Sequence, residues 1–414
     1  MIQQPLKKES LASQLLSLPV MVAALGYLVD MYDLFLFSVV RVPSLKALGV
    51  TPDQLLPQGI FLLNMQMAGL LLGGIFWGIM GDKRGRLSVL FGSILIYSLA
   101  NIGNGLVTSM PQYALLRFIA GVGLAGELGA GITLVTEVLP RQIRGYGTTI
   151  VATMGVLGAI LAYFVADLFE WRNSYFVGGG MGLLLLLLRV NVFESSIFEV
   201  VKERQVKRGD LWMLITSRER LLKYFQCILV GMPIWFVVGV LITFSPEFGQ
   251  AMGLTEPVVA GKAVMLAFVG QVVGDVLSGL LSQYLQNRKQ VVGGFILLSF
   301  AFVLVFLLAP LQNVNTFYGI CILLGVANGY WALFVTIAAE LFGTNLRATV
   351  ATTVPNFVRG TVIPLTTLFV WGKNQFGTLN SALGVGLLTV ALSLIALYYM
   401  EETFRKDLNY VEKD

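Results

Sequence analysis

Long apolar runs alternate with short polar breaks along the whole chain, and the run lengths predict what they form. Twelve stretches, at about residues 20–42, 58–80, 88–109, 112–136, 146–168, 174–192, 222–246, 258–282, 290–311, 314–340, 348–371 and 379–400, each approach the roughly 20 apolar residues that carry a helix across a bilayer core. The breaks between them are mostly turn-length, so consecutive helices are expected as antiparallel neighbours. The longest polar stretch, Glu194 to Lys223, carries mixed charge and reads as a solvated linker with a surface helix. It sets six runs on each side. The expected organisation is a six-helix bundle over 1–192, a cytoplasmic linker over 193–221, and a second bundle with a short tail over 222–414.

A repeat supports that division. The fourth run and its exit read RFIAGVGLAGELGAGITLVTEVLPRQIRGYGTT, the tenth reads ILLGVANGYWALFVTIAAELFGTNLRATVATT, and Glu137 and Arg144 are spaced as Glu340 and Arg347. The expected fold is therefore an all-α membrane protein of twelve transmembrane helices in two pseudo-symmetric six-helix bundles. Two such halves around a midplane site can work by alternating access, one rocking against the other.

Composition strengthens the membrane reading. Of 414 residues, 56% are hydrophobic and 12% charged, with a mean hydropathy of +0.80, against roughly 25% charged residues in soluble domains. Two cysteines, Cys227 and Cys321, both lie in apolar runs, so neither a disulfide framework nor a zinc site is indicated. There is no histidine, which removes the commonest metal ligand and the usual general base. We find no nucleophile–base pair, metal ligand set or phosphate-binding loop, so an enzyme, a metal and a cofactor are not expected. Basic residues favour alternate breaks: Lys83, Arg84 and Arg86, then Arg141 and Arg144, Arg288 and Lys289, and Arg347, against Arg41, Lys46, Arg172, Lys262 and Lys373 on the other face. That asymmetry predicts both termini in the cytoplasm. The net charge of +5 follows from this loop asymmetry, and no nucleic-acid partner is expected.

The first run, VMVAALGYLVDMYDLFLFSVVRV, holds two carboxylates, Asp30 and Asp33. Each costs about 2.5–3.5 kcal/mol at a helix centre on insertion scales, and ionisable groups there are functional by default. Spaced three apart, they lie on one helix face and are expected to share a polar cavity as a proton site. Asp30, nearer the centre of its run and one turn after Gly26, is expected to titrate. Asp33, beside Tyr32, is expected to stay ionised, opposite an arginine.

Between the second and third runs stands GIMGDKRGRL, with Gly78, Asp82, Gly85 and Arg86 in the order Gly-x-x-x-Asp-x-x-Gly-Arg. This resembles the signature loop of the major facilitator superfamily, and the likeness covers essentially the whole chain. The tail EETFRKDLNYVE is similar to the Pro-Glu-Thr-x-Gly ending of sugar porters and metabolite:proton symporters, with Arg405 in place of the glycine. LVDMYDLFLF and GVGLAGELGAG are similar to segments of proton-coupled symporters for organic acids and phosphate. The resemblance implies that Asp82 with Arg86, Glu137 with Arg144, and Glu340 with Arg347 serve cytoplasmic gates. In the second half, Gln283 replaces the acidic residue of the loop, so one gate is built differently. The resemblance also places Arg117 in a fourth-helix arginine motif linked to proton coupling, with an internal partner.

Four further charges are singled out within runs as buried: Arg117, Glu127, Asp275 and Arg359. An arginine at the bilayer centre needs a carboxylate or an anionic ligand, and Arg359, within PNFVRGTVIP with Asn356, has no partner on its own helix. It is expected to face Asp30 and Asp33 or a substrate anion. Trp235, Asn328, Tyr330, Trp331 and Tyr32 are candidates for shaping an organic site. Asp30, Asp33, Glu127 and Arg117 are the candidate proton-coupling set. The function expected is proton-coupled import of a small organic anion by a monomer in a bacterial inner membrane. A proton-antiporting exporter of cationic or amphipathic compounds is the alternative, and a non-transporting sensor a distant third.

Overall fold

The computed structural model describes residues 11–84, 86–140, 143–193, 214, 216–310 and 313–404. All twelve expected spans are present among them. They run Leu18–Ala47, Leu55–Arg84, Arg86–Leu106, Met110–Leu124 with Glu127–Val138, Arg144–Leu168, Trp171–Phe193, Arg218–Ile242, Ala260–Leu285, Arg288–Leu308, Val314–Asn328 with Trp331–Glu340, Thr344–Gly360 with Val362–Phe376, and Thr378–Tyr399. Nine are long and apolar enough to cross a membrane by length and composition. The other three, the fourth, sixth and eleventh, carry Arg117 and Glu127, Arg189, and Arg359. Up-and-down alternation puts both ends of the described chain on one side, called here the termini side, and the turns after odd-numbered spans on the far side.

The expected division into two six-helix halves holds, with two refinements at helix breaks. The fourth span is interrupted at Ala125 and Gly126, and the tenth at Gly329 and Tyr330. Each therefore presents a second helix amino terminus inside the protein. Glu127 occupies the first turn of one, and the backbone N–H of Ala332 in the other donates to Asp275 Oδ1 of the eighth span at 3.4 Å. Both placements suit the positive end of a helix dipole.

The repeat seen in sequence is also a repeat of packing. Any Cβ on Gly69 of the second span would strike the backbone of Phe118 and Val122 in the fourth, and one on Gly270 of the eighth would strike Ile322 and Val326 in the tenth. Glycine is required at both crossings because the two backbones touch. In the seventh span, Pro233 is followed by a π-helical stretch, Val237–Ile242, whose wider turn leads into Thr243.

The halves meet on both sides of the midplane. On the far side, Arg41 of the first span donates twice to Glu247 beyond the seventh, at 2.6 and 2.7 Å, with Ser38 and Thr243 hydroxyls 3.1 Å apart beside it. Arg41 is fully buried, lies over the Phe244 ring and fills the space left by Gly59. Toward the termini side, Asn356 Nδ2 of the eleventh span donates to Ala125 O at the break in the fourth, at 2.9 Å. Thr352, one turn further on, fits against Gly129.

Candidate functional site

The first span is longer than its apolar run, reaching Ala47 through Pro43, and this moves its centre to about Tyr32. Asp30 and Asp33 straddle that centre and are both fully buried. Their nearest partners differ. Asp30 points across the seam to the eleventh span, where its Oδ2 stands 3.9 Å from Arg359 Nη2. Asp33 points into its own half: a Cβ on Gly178 of the sixth span would overlap its Oδ1, and the charges that act on it are Asp30, one turn away, and Arg117 of the fourth span. No hydrogen bond reaches any of the four carboxylate oxygens among the described residues.

Arg359 is 1% exposed and incompletely satisfied. Its Nη1 donates to Asn356 Oδ1 at 3.4 Å, Nη2 lies 4.0 Å from Met31 Sδ, and Nε has no partner. The guanidinium lies 5.9 Å from the Trp235 ring centroid, within cation–π range. Trp235 stacks at 5.9 Å on Phe35 and meets Trp331 edge-on at 6.5 Å, and its buried Nε1 has no acceptor. A buried donor pair without acceptors, walled by aromatic faces, is suited to a carboxylate carried on a ring.

Arg117 keeps to the far-side part of the N-terminal half. It is fully buried between the rings of Phe37 and Tyr175, at 5.1 and 5.9 Å, and none of its nitrogens makes a hydrogen bond among the described residues. Glu127 is held by Arg189 of the sixth span, whose Nη1 reaches Glu127 Oε2 at 3.1 Å while Nη2 binds Oε1, and Nη1 also donates to Leu90 O at 3.1 Å. A Cβ on Gly26 would collide with this pair. Gly26 therefore admits an ion pair of the fourth and sixth spans beside Asp30.

Three expected binding residues lie elsewhere. The Tyr32 hydroxyl donates to Ser174 O at 2.8 Å inside the N-terminal half. Asn328 Oδ1 accepts from Ser299 at 3.3 Å and its Nδ2 donates to Ile234 O, while the Tyr330 hydroxyl donates to Val230 O at 3.2 Å. These side chains fasten helices together within one half, because the helix rotations point them away from the seam. Glu340 pairs with Arg288 from the ninth span. The side chains of Asp82, Arg86, Glu137, Arg144 and Arg347, and Gly85 altogether, lie outside the described residues; Gly78 is part of the second helix. Sequence reasoning missed Arg189, Asn101 and Asn104, all fully buried. The signal was there in part, as two amides one turn apart in an apolar run.

Two six-helix halves, helices broken partway along the fourth and tenth spans and a buried carboxylate–arginine pair bridging the halves define a membrane transporter for a small solute. The chain belongs to the Major Facilitator Superfamily, whose sequence pattern matches residues 23–367. It is 25% identical over 388 residues to the sialic acid transporter NanX of Escherichia coli, covering 91% of this chain and 90% of that one. It is 24% identical over 364 residues to the niacin transporter NiaP of Acinetobacter baylyi, covering 79% and 80%. Among solved structures, a D-xylose-proton symporter matches the fold with a TM-score of 0.69 and 17% identity, over 93% of this chain and 98% of that one.

Proposed function

We propose that this transporter imports a small organic acid, a single carboxylate on a ring, together with protons, across a bacterial inner membrane with both termini in the cytoplasm. The observation that carries the reading is Arg359: a buried, half-satisfied guanidinium over an indole face, at the level where the two halves meet. The named solutes of the two relatives, sialic acid and niacin, are both ring-borne carboxylic acids. In this reading Arg359, Asn356, Trp235 and Trp331 bind the acid, and Asp30 carries the proton that lets the seam reorient without an unpaired buried charge. Asp33 and Arg117 form an internal support for the first span. Arg41 with Glu247 closes the far side, and Asp82, Arg86, Glu137, Arg144 and Arg347 belong to the opposite gate. The boundaries of the halves follow the linker at 193–221, and the unit of transport is the monomer.

Purified protein in vesicles containing a pH-sensitive dye tests this. Nicotinate or N-acetylneuraminate added outside is expected to acidify the lumen as labelled acid enters. Uptake without acidification would remove proton coupling. Efflux of a cationic compound that survives Arg359→Ala, with no acid uptake by the unaltered protein, would favour the exporter, although a positive charge at the seam opposes a cation.

A further inference from the structure

We propose that the acid bound at the seam carries a hydrogen-bond donor, a hydroxyl or an N–H, across its ring from the carboxylate, and that Asp275 of the eighth span accepts from it. This rests on Arg359 being the anchor of the acid and adds a second pole to that site. At the first pole, Arg359 Nε and Trp235 Nε1 are buried donors without acceptors. From the guanidinium a step of 5.9 Å reaches the Trp235 ring, and a step of 6.5 Å leads from there to the Trp331 ring. Trp331 opens the second helix of the tenth span, and that helix start meets Asp275. The Ala332 N–H donates to Asp275 Oδ1 at 3.4 Å, and the Trp331 N–H and the Gln271 side chain also turn to this carboxylate. Two indoles therefore lie between a cation and an anion.

The register of the eighth span turns Asp275 toward the other half. A Cβ on Gly261 would strike Val39 of the first span, and Phe268, seven residues on, meets Phe35 edge-on at 4.5 Å. Asp275 lies seven residues further, so it falls on the same helix face. The two spans run in opposite directions, which brings it level with the stretch of the first span that holds Tyr27. The Tyr27 hydroxyl feels the charges of Arg359, Asp30 and Asp275 and interacts with the Trp331 side chain, so both poles border one space. Among the described residues no arginine or lysine pairs with Asp275, and the residue is partly exposed. A carboxylate offers about four acceptor positions, and the N–H groups of its own half leave one for a donor arriving in the seam. A ligand without a donor would strip water from that position and put nothing in its place. Sites built to hydrogen-bond a hydroxyl reject the analogue that lacks it for this reason. Arg359 and Asp275 belong to the same half, so a ligand held at both poles moves with the C-terminal bundle while the first span closes over it.

The test measures binding to the full-length protein by ligand-induced thermal shift. The probes are benzoate, 3-hydroxybenzoate, 4-hydroxybenzoate and 4-methoxybenzoate, which share a carboxylate and a ring and differ in the donor. In the unaltered protein, one of the hydroxy acids should bind about tenfold or more tighter than benzoate and 4-methoxybenzoate, the scale of a hydrogen bond to a charged group. Asp275→Asn keeps an acceptor for the Ala332 N–H and loses the charge. It should remove most of that preference while benzoate binding stays close to that of the unaltered protein, a split that a merely structural role would not produce. Benzoate and 4-methoxybenzoate binding the unaltered protein as tightly as both hydroxy acids would overturn the donor pole and leave the acid reading standing, whether or not the variant folds. Equal loss of all four acids in Asp275→Asn would return Asp275 to a structural role. No shift with any of these acids, nor with nicotinate or N-acetylneuraminate, would remove the acid site itself.

Discussion

The two halves share one plan and handle charge in opposite ways. Each crosses its second and fourth helices at glycines whose backbones touch, at Gly69 and Gly121 in one half and Gly270 and Gly325 in the other. The N-terminal half then buries Asp30, Asp33, Arg117, Glu127 and Arg189 among its helices. The C-terminal half is fastened by neutral bonds, such as those of Tyr330, Asn328 and Ser393 to backbone carbonyls of the seventh span or nearby side chains. Among the described residues, the ion pairs within this half lie at its termini-side end, with Arg288 on Glu340, where Lys289 also meets the carbonyls of Tyr398 and Met400. Among the described residues, its buried arginine midway along the bundle, Arg359, looks across to the other half. A duplicated fold can thus keep its packing and assign charge balancing to one copy and the cation that faces the seam to the other.

The sharpest way to break this contrast is to unpair Glu127 from Arg189. Removing one partner of a buried ion pair costs about 3–5 kcal/mol, so Arg189→Leu or Glu127→Leu alone should cut folded yield and lower the melting temperature in detergent severely. The double variant should recover much of the loss. Melting of both single variants at the wild-type temperature would show that this pair does not hold the N-terminal half together. A smaller effect is expected from Arg359→Ala, because its partner Asp30 can become neutral by taking a proton. The fold should persist, while ligand-induced thermal shift by nicotinate or N-acetylneuraminate should weaken by roughly 30-fold or more in apparent affinity, the scale of about 2 kcal/mol lost with a buried charge partner. Unchanged shifts would remove Arg359 from the acid site.

Much of this architecture was legible because hydropathy and repeats are local properties. The twelve spans, the two sets of six, the two first-helix aspartates and the lack of a partner for Arg359 on its own helix all followed from the order of residues. What stayed hidden was helix rotation and partner choice. Arg41 read as a loop cation on the far face, yet it is buried against a glutamate about 200 residues away. Arg189 sat near the end of an apolar run, where an arginine ordinarily reaches water, but the sixth helix continues to Phe193 and turns it inward. Tyr330 and Asn328 lay in the right helix, on the wrong side of it.

The cross-half contact on the far side offers an intermediate test. Arg41 is fully buried and Glu247 is 17% exposed, so losing the pair should favour states in which that side opens. In an Arg41→Ala background, a cysteine replacing Ser38, whose hydroxyl meets Thr243, should be alkylated by a membrane-impermeant reagent about tenfold faster, within the usual 1–3 kcal/mol of such couplings. Exchanging the charges, Arg41→Glu with Glu247→Arg, should slow it again. Equal labelling in all three backgrounds would mean that the pair does not bias the far side.

The smallest effect lies at the end of the C-terminal half, where the tail resembling a symporter ending acquires a structural task. Glu402, just past the twelfth span, accepts backbone N–H groups of Arg288 and Lys289 at the start of the ninth helix, at 3.1 and 2.9 Å, and of Thr403 and Phe404, at 2.9 and 2.8 Å. Partial burial pushes its carboxyl up, but the four N–H bonds outweigh this and hold it below the usual glutamate range. A carboxyl lowered on folding stabilises the protein above its unfolded value, and that contribution is lost as pH falls through the folded value. The wild-type melting temperature should therefore decline more steeply than that of Glu402→Gln as pH drops below the ordinary glutamate range, with the two curves converging at the acid end. Near neutral pH the gap should be under about 1 kcal/mol, because the group is largely in contact with water. Parallel curves across the acid range would detach Glu402 from the stability of the ninth helix, and a gap comparable to that of the Arg189 variants would contradict the assignment of the main ionic stabilisation to the N-terminal half.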